Sequence, residues 1–163
     1  AADDIADIVC EAAEGTVHRL WEPLAAKRRP PNGYAAKFST PYCIAAGFIL
    51  DGAGLEAFSE EFVGDPRLLA LAAKVRYEID PKNPYPNAYT GHIRVRLKNG
   101  STIEERQPHL RGGANEPLSR ADIVEKFARN ARYGGWTQPK IDAALEAIGG
   151  LFDGRVDLAA LRD

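Results

Sequence analysis

The 163-residue chain is 45% hydrophobic and 27% charged, the balance of a soluble globular protein long enough for one domain with a sizeable core. A formal charge of −2 at pH 7 excludes the general basic footprint of nucleic-acid binding, and no basic stripe interleaves with Tyr85, Tyr89 or Tyr133. No apolar run reaches the roughly 20 residues of a membrane span, and no signal or lipidation motif is visible. Cys10 and Cys43 fit no ligand spacing and read as free buried thiols in a reducing, cytoplasmic setting, with a disulfide between them as the alternative that no spacing supports. The chain starts at Ala1 and contains no methionine, which suggests a processed chain or a piece of something longer.

Taken in order, residues 7–14 alternate as a strand, Gly15 breaks it, and Thr16 to Trp21 make a helical turn. Residues 22–36 read as a loop punctuated by Pro23, Pro30, Pro31 and Asn32-Gly33, with Lys27-Arg28-Arg29 as a solvated basic run. The segment Lys37 to Gly52 then organises the core. Thr40 is the expected cap, Pro41 takes the first helical position, and Tyr42 to Leu50 carry no charge, so every face should meet protein. A second short helix is expected over Gly54 to Phe62. A third is capped by Asp65 ahead of Pro66, with Leu68, Leu69, Ala72 and Ala73 as its apolar stripe.

Val75 to Ile79 alternates as a strand, and Asp80 to Thr90 is a proline-rich loop. His92 to Leu97, the turn Lys98-Asn99-Gly100-Ser101 and Thr102 to Gln107 form the clearest hairpin signal, with positive φ expected at Asn99 and Gly100. Ile93, Val95 and Leu97 should face the core, with Arg94 and Arg96 outward opposite Glu104 or its neighbours. After a Gly-rich loop, Ser119 to Asp122 reads as a capping box for a helix bearing Ile123, Phe127 and Ala131. Thr137-Gln138-Pro139 opens another helix with Ile141, Leu145, Ile148 and Phe152 on one side, and Asp157 caps a last turn holding Leu158 and Leu161. Grouped strands predict an α+β two-layer sandwich: a mainly antiparallel sheet of about four strands, helices on one face, and C-terminal helices added.

Chemistry is sparse. There is no P-loop, GxGxxG after a strand, HExxH, GxSxG or Cys/His cluster. His18, His92 and His109 fall in different elements and read as surface or structural residues, and Gly112-Gly113 as a plain turn. The best-placed stretch is the start of the buried helix. Helix N-termini favour anions, Lys37 lies just upstream, and Tyr42 in the first turn can donate a hydrogen bond or a proton. Together they suit a carboxylate; the structural alternative is a packed Tyr42 and a solvated Lys37.

Several segments, in order, resemble the C-terminal part of the MmgE/PrpD family: Ala36-Lys-Phe-Ser-Thr-Pro-Tyr42, Leu50-Asp-Gly52, Asp65-Pro66, Leu97-Lys-Asn-Gly100, Arg111-Gly-Gly113, Asn115 to Ser119, and Lys126-Phe127 with Asn130-Ala131. The resemblance implies cofactor-free and metal-free acid–base chemistry on small di- and tricarboxylates. The family's activities include 2-methylcitrate dehydration, cis-aconitate decarboxylation and iminodisuccinate epimerisation. It also implies that residues 1–163 are a single domain, the smaller α+β one, that a large helical domain is missing, and that the assembly is a homodimer. On residues it implies Tyr42 as the catalytic tyrosine of the active-site wall, with Lys37 and Ser39 in the same substrate-binding segment. None of the three histidines matches the family's catalytic positions. A non-catalytic carboxylate-binding or protein-interaction module of the same fold is the alternative.

Overall fold

A computed structural model describes residues 1–151 and 154. The expected contribution of Phe152 and the turn at Asp157, Leu158 and Leu161 lie outside the described residues. The chain divides into two compact units, Ala1–Pro117 and Leu118–Asp163.

The first unit is an α+β sandwich built on a four-stranded sheet. Its strands are β1 (Ile5–Ala12), β2 (Val75–Ile79), β3 (Gly91–Leu97) and β4 (Thr102–Gln107), in the order β2-β1-β3-β4. β1 pairs parallel with β2 and antiparallel with β3, and β3 pairs antiparallel with β4. Six helices lie between β1 and β2: α1 (Glu14–Leu20), α2 (Leu24–Arg28), α3 (Gly33–Ala36), α4 (Thr40–Ile49), α5 (Glu60–Val63) and α6 (Pro66–Ala72). Strand alternation divides the residues between two faces. Ile8 and Cys10 share the helix-side face with their partners Val75, Tyr77, Val95 and Ile93. There they meet Tyr42, Ala45 and Ala46 of α4 and Leu68, Leu71 and Ala72 of α6 in one buried cluster.

Residues 22–36 are not all loop, since α2 and α3 occupy Leu24–Arg28 and Gly33–Ala36. Asn32 accepts a hydrogen bond from Ala35 N–H and caps α3, and α2 begins after Pro23. Nor is the basic run simply solvated. Arg28 donates to the Val75 carbonyl at 2.9 and 2.6 Å, and Lys27 Nζ donates to the carbonyls of Phe38 at 2.7 Å and Arg19 at 2.5 Å. Neither cation has a side-chain partner that sequence spacing would reveal. The expected helix over Gly54 to Phe62 is split: a 3-10 turn over Leu55–Phe58 ends where Ser59 caps α5. On α6 the core takes Leu68, Leu71 and Ala72, while Ala73 is exposed.

Helix α4 is capped by Ser39 instead of Thr40, which becomes its first residue. Its buried side is Pro41, Tyr42, Ala45 and Ala46, whereas Gly47 and Phe48 are exposed, so its apolar composition exceeds what this chain covers. In the β3–β4 hairpin only Gly100 takes positive φ, at 89°. The Gly100 N–H closes the turn on the Leu97 carbonyl, and Asn99 Oδ1 accepts from the Ser101 amide and hydroxyl. The Leu97 N–H in turn donates to the Ser101 carbonyl, so a three-residue loop, Lys98 to Gly100, with one left-handed residue replaces the two-residue turn that Asn-Gly suggests.

The second unit holds α7 (Arg120–Tyr133) and α8 (Gln138–Gly150), which pack on each other. Ser119 and Asp122 form the expected capping box. Ala128, Ile141 and Ala144 are buried, and Phe127 meets Trp136 edge to face at 6.2 Å. Ile123 stands exposed, so the inward side of α7 is turned from the one its spacing suggested.

Candidate functional site

The entrance to α4 is held by a reciprocal clasp. Lys27 Nζ donates to the Phe38 carbonyl, and the Ser39 hydroxyl donates back to the Lys27 carbonyl. Ser39 Oγ also accepts from the Tyr42 amide at 3.1 Å, satisfying one of the orphan donors of the first turn. Ser39 is buried, and both its donor and an acceptor lone pair are committed within the domain.

Tyr42 lies beneath the same turn with no exposed surface, and its hydroxyl donates to the Ala57 carbonyl at 2.6 Å. Burial, with smaller contributions from Cys43 and Asp65, pushes the phenol up to about 12. At neutral pH it is therefore a proton donor and not a base. Burial likewise pushes the Cys10 thiol up to about 12 and that of Cys43 up to about 11, which takes both out of nucleophilic chemistry. Lys37 is exposed, with its ammonium 5.9 Å from the centre of the Phe58 ring; that ring lies 6.3 Å from the Tyr42 ring. Phe58 thus joins the exposed cation to the buried phenol. Of the three residues expected at the site, only Lys37 presents its head group to solvent.

A second constellation lies where β1 ends and β3 begins. There a cleft of about 390 Å³ takes Thr40 and Ile44 from α4, Trp21 and Leu20 from the α1 region, and Tyr85 and Tyr89 from the loop before β3. Glu11 and His92 border it, while strand alternation turns their side chains to the opposite face of the sheet, the face of Arg94 and Arg96. The His92 side chain is 5% exposed and sits between two carboxylates: Nε2 is 2.7 Å from Glu104 Oε1, and Nδ1 is 2.7 Å from Glu11 Oε1. The first contact is a hydrogen bond. The second is close but poorly directed, and Nδ1 has no hydrogen-bond partner. Arg106, the register partner of His92, lies 3.5 Å from Glu11 and 3.3 Å from Glu104. The His92 hydrogen bond, followed by the nearby charges of His92 and Arg106, holds the Glu104 carboxyl below the usual range.

Sequence reasoning passed over this cluster because it treated His92 alone. The signal available was the hairpin register, which sets His92 against Arg106 and beside Glu104; Glu11 enters only through the β1–β3 pairing, which spacing does not disclose. The same pairing redirects the arginines. Arg94 is in register with Glu104 as expected, yet it pairs with Glu78 of β2 at 2.5 Å, and Arg96 pairs with Asp7 of β1. His18 and His109 are exposed and belong to neither constellation. Among the described residues no helix is long and apolar enough to cross a membrane.

Comparison with known proteins matches residues 1–148 to the MmgE/PrpD C-terminal domain. A cis-aconitate decarboxylase of Homo sapiens is 35% identical over 104 residues, 63% of this chain and 21% of that protein. A cis-aconitate decarboxylase of Mus musculus is 33% identical over 105 residues, again 63% of this chain and 21% of the relative. The chain thus aligns to about a fifth of each of these proteins.

Proposed function

The chain belongs to the MmgE/PrpD family, as its C-terminal domain, and from this we propose that it forms one wall of the active site of a cofactor-free lyase acting on a small di- or tricarboxylate. The observation that carries the reading is the similarity to two cis-aconitate decarboxylases at 35% and 33% identity. In this reading acid–base groups elsewhere in the polypeptide, in a helical domain, act in one of two ways: for dehydration a base removes a proton beside a carboxylate and the hydroxyl leaves as water once an acid protonates it, and for decarboxylation an acid delivers a proton to the carbon skeleton as the C–C bond breaks and carbon dioxide leaves. The enzyme is a cytoplasmic homodimer. Lys37, the exposed ammonium at the entrance to α4, binds a substrate carboxylate. Ser39 contributes to substrate binding by fixing the start of α4. Tyr42 is protonated and suited to donate, provided its hydroxyl exchanges the Ala57 carbonyl for substrate.

The test is turnover of cis-aconitate, 2-methylcitrate and citrate by the full-length protein that carries this domain, beside its Tyr42→Phe and Lys37→Gln variants. The expected result is decarboxylation or dehydration of one acid. Tyr42→Phe should lower kcat/KM at least tenfold, about 1.4 kcal/mol of transition-state stabilisation. Lys37→Gln should act mainly on KM. A full-length protein inert on all three acids would overturn the reading.

A second reading is favoured by one observation: the hydroxyls of both Ser39 and Tyr42 are engaged inside the domain. It makes this a binding wall without catalytic side chains. Tyr42→Phe would then leave turnover intact and cost only stability, about 1 kcal/mol for a lost hydrogen bond.

A further inference from the structure

Lys27, on α2, makes three of the bonds that fix the entrance to α4. Its ammonium donates at 2.7 Å to the carbonyl of Phe38, the residue before the Ser39 cap, and at 2.5 Å to the carbonyl of Arg19 near the end of α1. Its own carbonyl accepts the Ser39 hydroxyl. The two side chains assigned to the substrate ride on this stretch. Lys37 directly precedes Phe38, and the Ser39 oxygen that reaches Lys27 also accepts from the Tyr42 amide. Phe38 is held to α1 from its ring as well, with the Arg19 guanidinium 5.1 Å from the ring centre.

A lysine in this place keeps a charge that no carboxylate neutralises. The residue is half-buried, and carbonyl dipoles take the place of the water its ammonium loses. On the far face of the sheet Arg76, Arg94, Arg96 and Arg106 are all ion-paired. Arg19, Lys27 and Lys37 have no acidic partner among the described residues, so positive charge remains where a carboxylate would arrive. The neighbouring Arg28 offers a contrast. It also holds a carbonyl with a cationic side chain, but that carbonyl belongs to Val75 at the start of β2, away from Lys37 and Tyr42.

We propose, as an inference that rests on the lyase reading, that Lys27 is the positioning residue of the substrate site: it fixes the peptide between Lys37 and Ser39 so that the Lys37 ammonium meets the substrate carboxylate. The test is steady-state kinetics of the full-length protein on whichever of cis-aconitate, 2-methylcitrate and citrate it turns over. Lys27→Gln should raise KM about tenfold and change kcat by less than about threefold. Lys27→Arg, which keeps the charge and has donors for both carbonyls, should return KM to within about threefold of the parent. Arg28→Gln should lower the melting temperature yet leave KM within about twofold, which separates positioning from general loosening. In the double variant Lys27→Gln/Lys37→Gln the two KM effects should fall well short of multiplying, because one acts through the other. Hydrogen exchange supplies a readout independent of turnover: Lys27→Gln should speed it several-fold over residues 38–43 and leave residues 75–79 unchanged. If Lys27→Gln does not fold, Ser39→Ala opens the other half of the clasp and carries the same KM expectation. A KM raised by Lys37→Gln but not by Lys27→Gln, effects that multiply, an equal rise in Arg28→Gln, or unchanged exchange over 38–43 would overturn the proposal and leave the lyase reading standing. A protein inert on all three acids would overturn the lyase reading, and the role of Lys27 with it.

Discussion

Single side chains here act mostly through the backbone they hold. Ser39 shows it: one oxygen caps α4 and donates to the Lys27 carbonyl, so two segments depend on it. Ser39→Ala should lower unfolding free energy by about 1–2 kcal/mol in urea titrations, with Ser39→Thr recovering most of the loss. A loss under about 0.3 kcal/mol would mean water replaces the cap. Glu104 carries a pH signature. Its folded-state carboxyl is held below its ordinary value, so it stabilises the fold above that value, and the contribution disappears as pH falls through the folded one. Between about pH 5 and pH 3 the stability of the protein should therefore fall less steeply in Glu104→Gln than in the parent. Parallel slopes would show that His92 and Arg106 gain nothing from this carboxylate when folded.

At the scale of elements, the α3–α4 corner is set by a close backbone approach. A Cβ at Gly33 would lie 1.9 Å from the Phe58 carbonyl oxygen, and Ala57 and Phe58 are the residues that receive the Tyr42 hydroxyl and the Lys37 ammonium. Gly33→Ala should cost about 3 kcal/mol and displace that strand of chain, lowering activity with stability. A variant as stable as the parent would show that α3 shifts freely. Elements with a local signal were legible in the sequence. The hairpin around Gly100, the Asp65–Pro66 start of α6, and the Ser119/Asp122 box all follow from residues within a turn of one another. The α4 helix was legible too, down to the segment that holds Lys37, Ser39 and Tyr42. What spacing could not convey were contacts made at a distance. Arg28 reaches the Val75 carbonyl, Lys27 reaches Phe38, and Glu11 reaches His92, and each depends on a tertiary approach. The burial of Tyr42 was legible as an alternative, but its carbonyl partner was not.

For the whole molecule, the buried cluster runs from Ile5 to Val95, entirely inside the first unit. A chain truncated after Pro117 should therefore retain a cooperative thermal transition and dispersed amide resonances. A broad, non-cooperative melt would show that residues 118–163 complete the core. On the helix side of β3 and β4, Phe48 and Ile103 remain 45% and 58% exposed beside an apolar groove of about 410 Å³. The opposite face is laced with the ion pairs of Arg76, Arg94 and Arg96, so the two sides of one sheet face different surroundings. The order of its strands also governs when the sheet can form. β1 leads the chain, yet its neighbours are residues 75–79 and 93–97. On a ribosome, at about 5–20 residues per second, β1 must wait several seconds for either partner, with its hydrogen-bonding edges open. Such non-local pairing slows folding, so the yield of this domain should be governed by whatever shields β1 during synthesis.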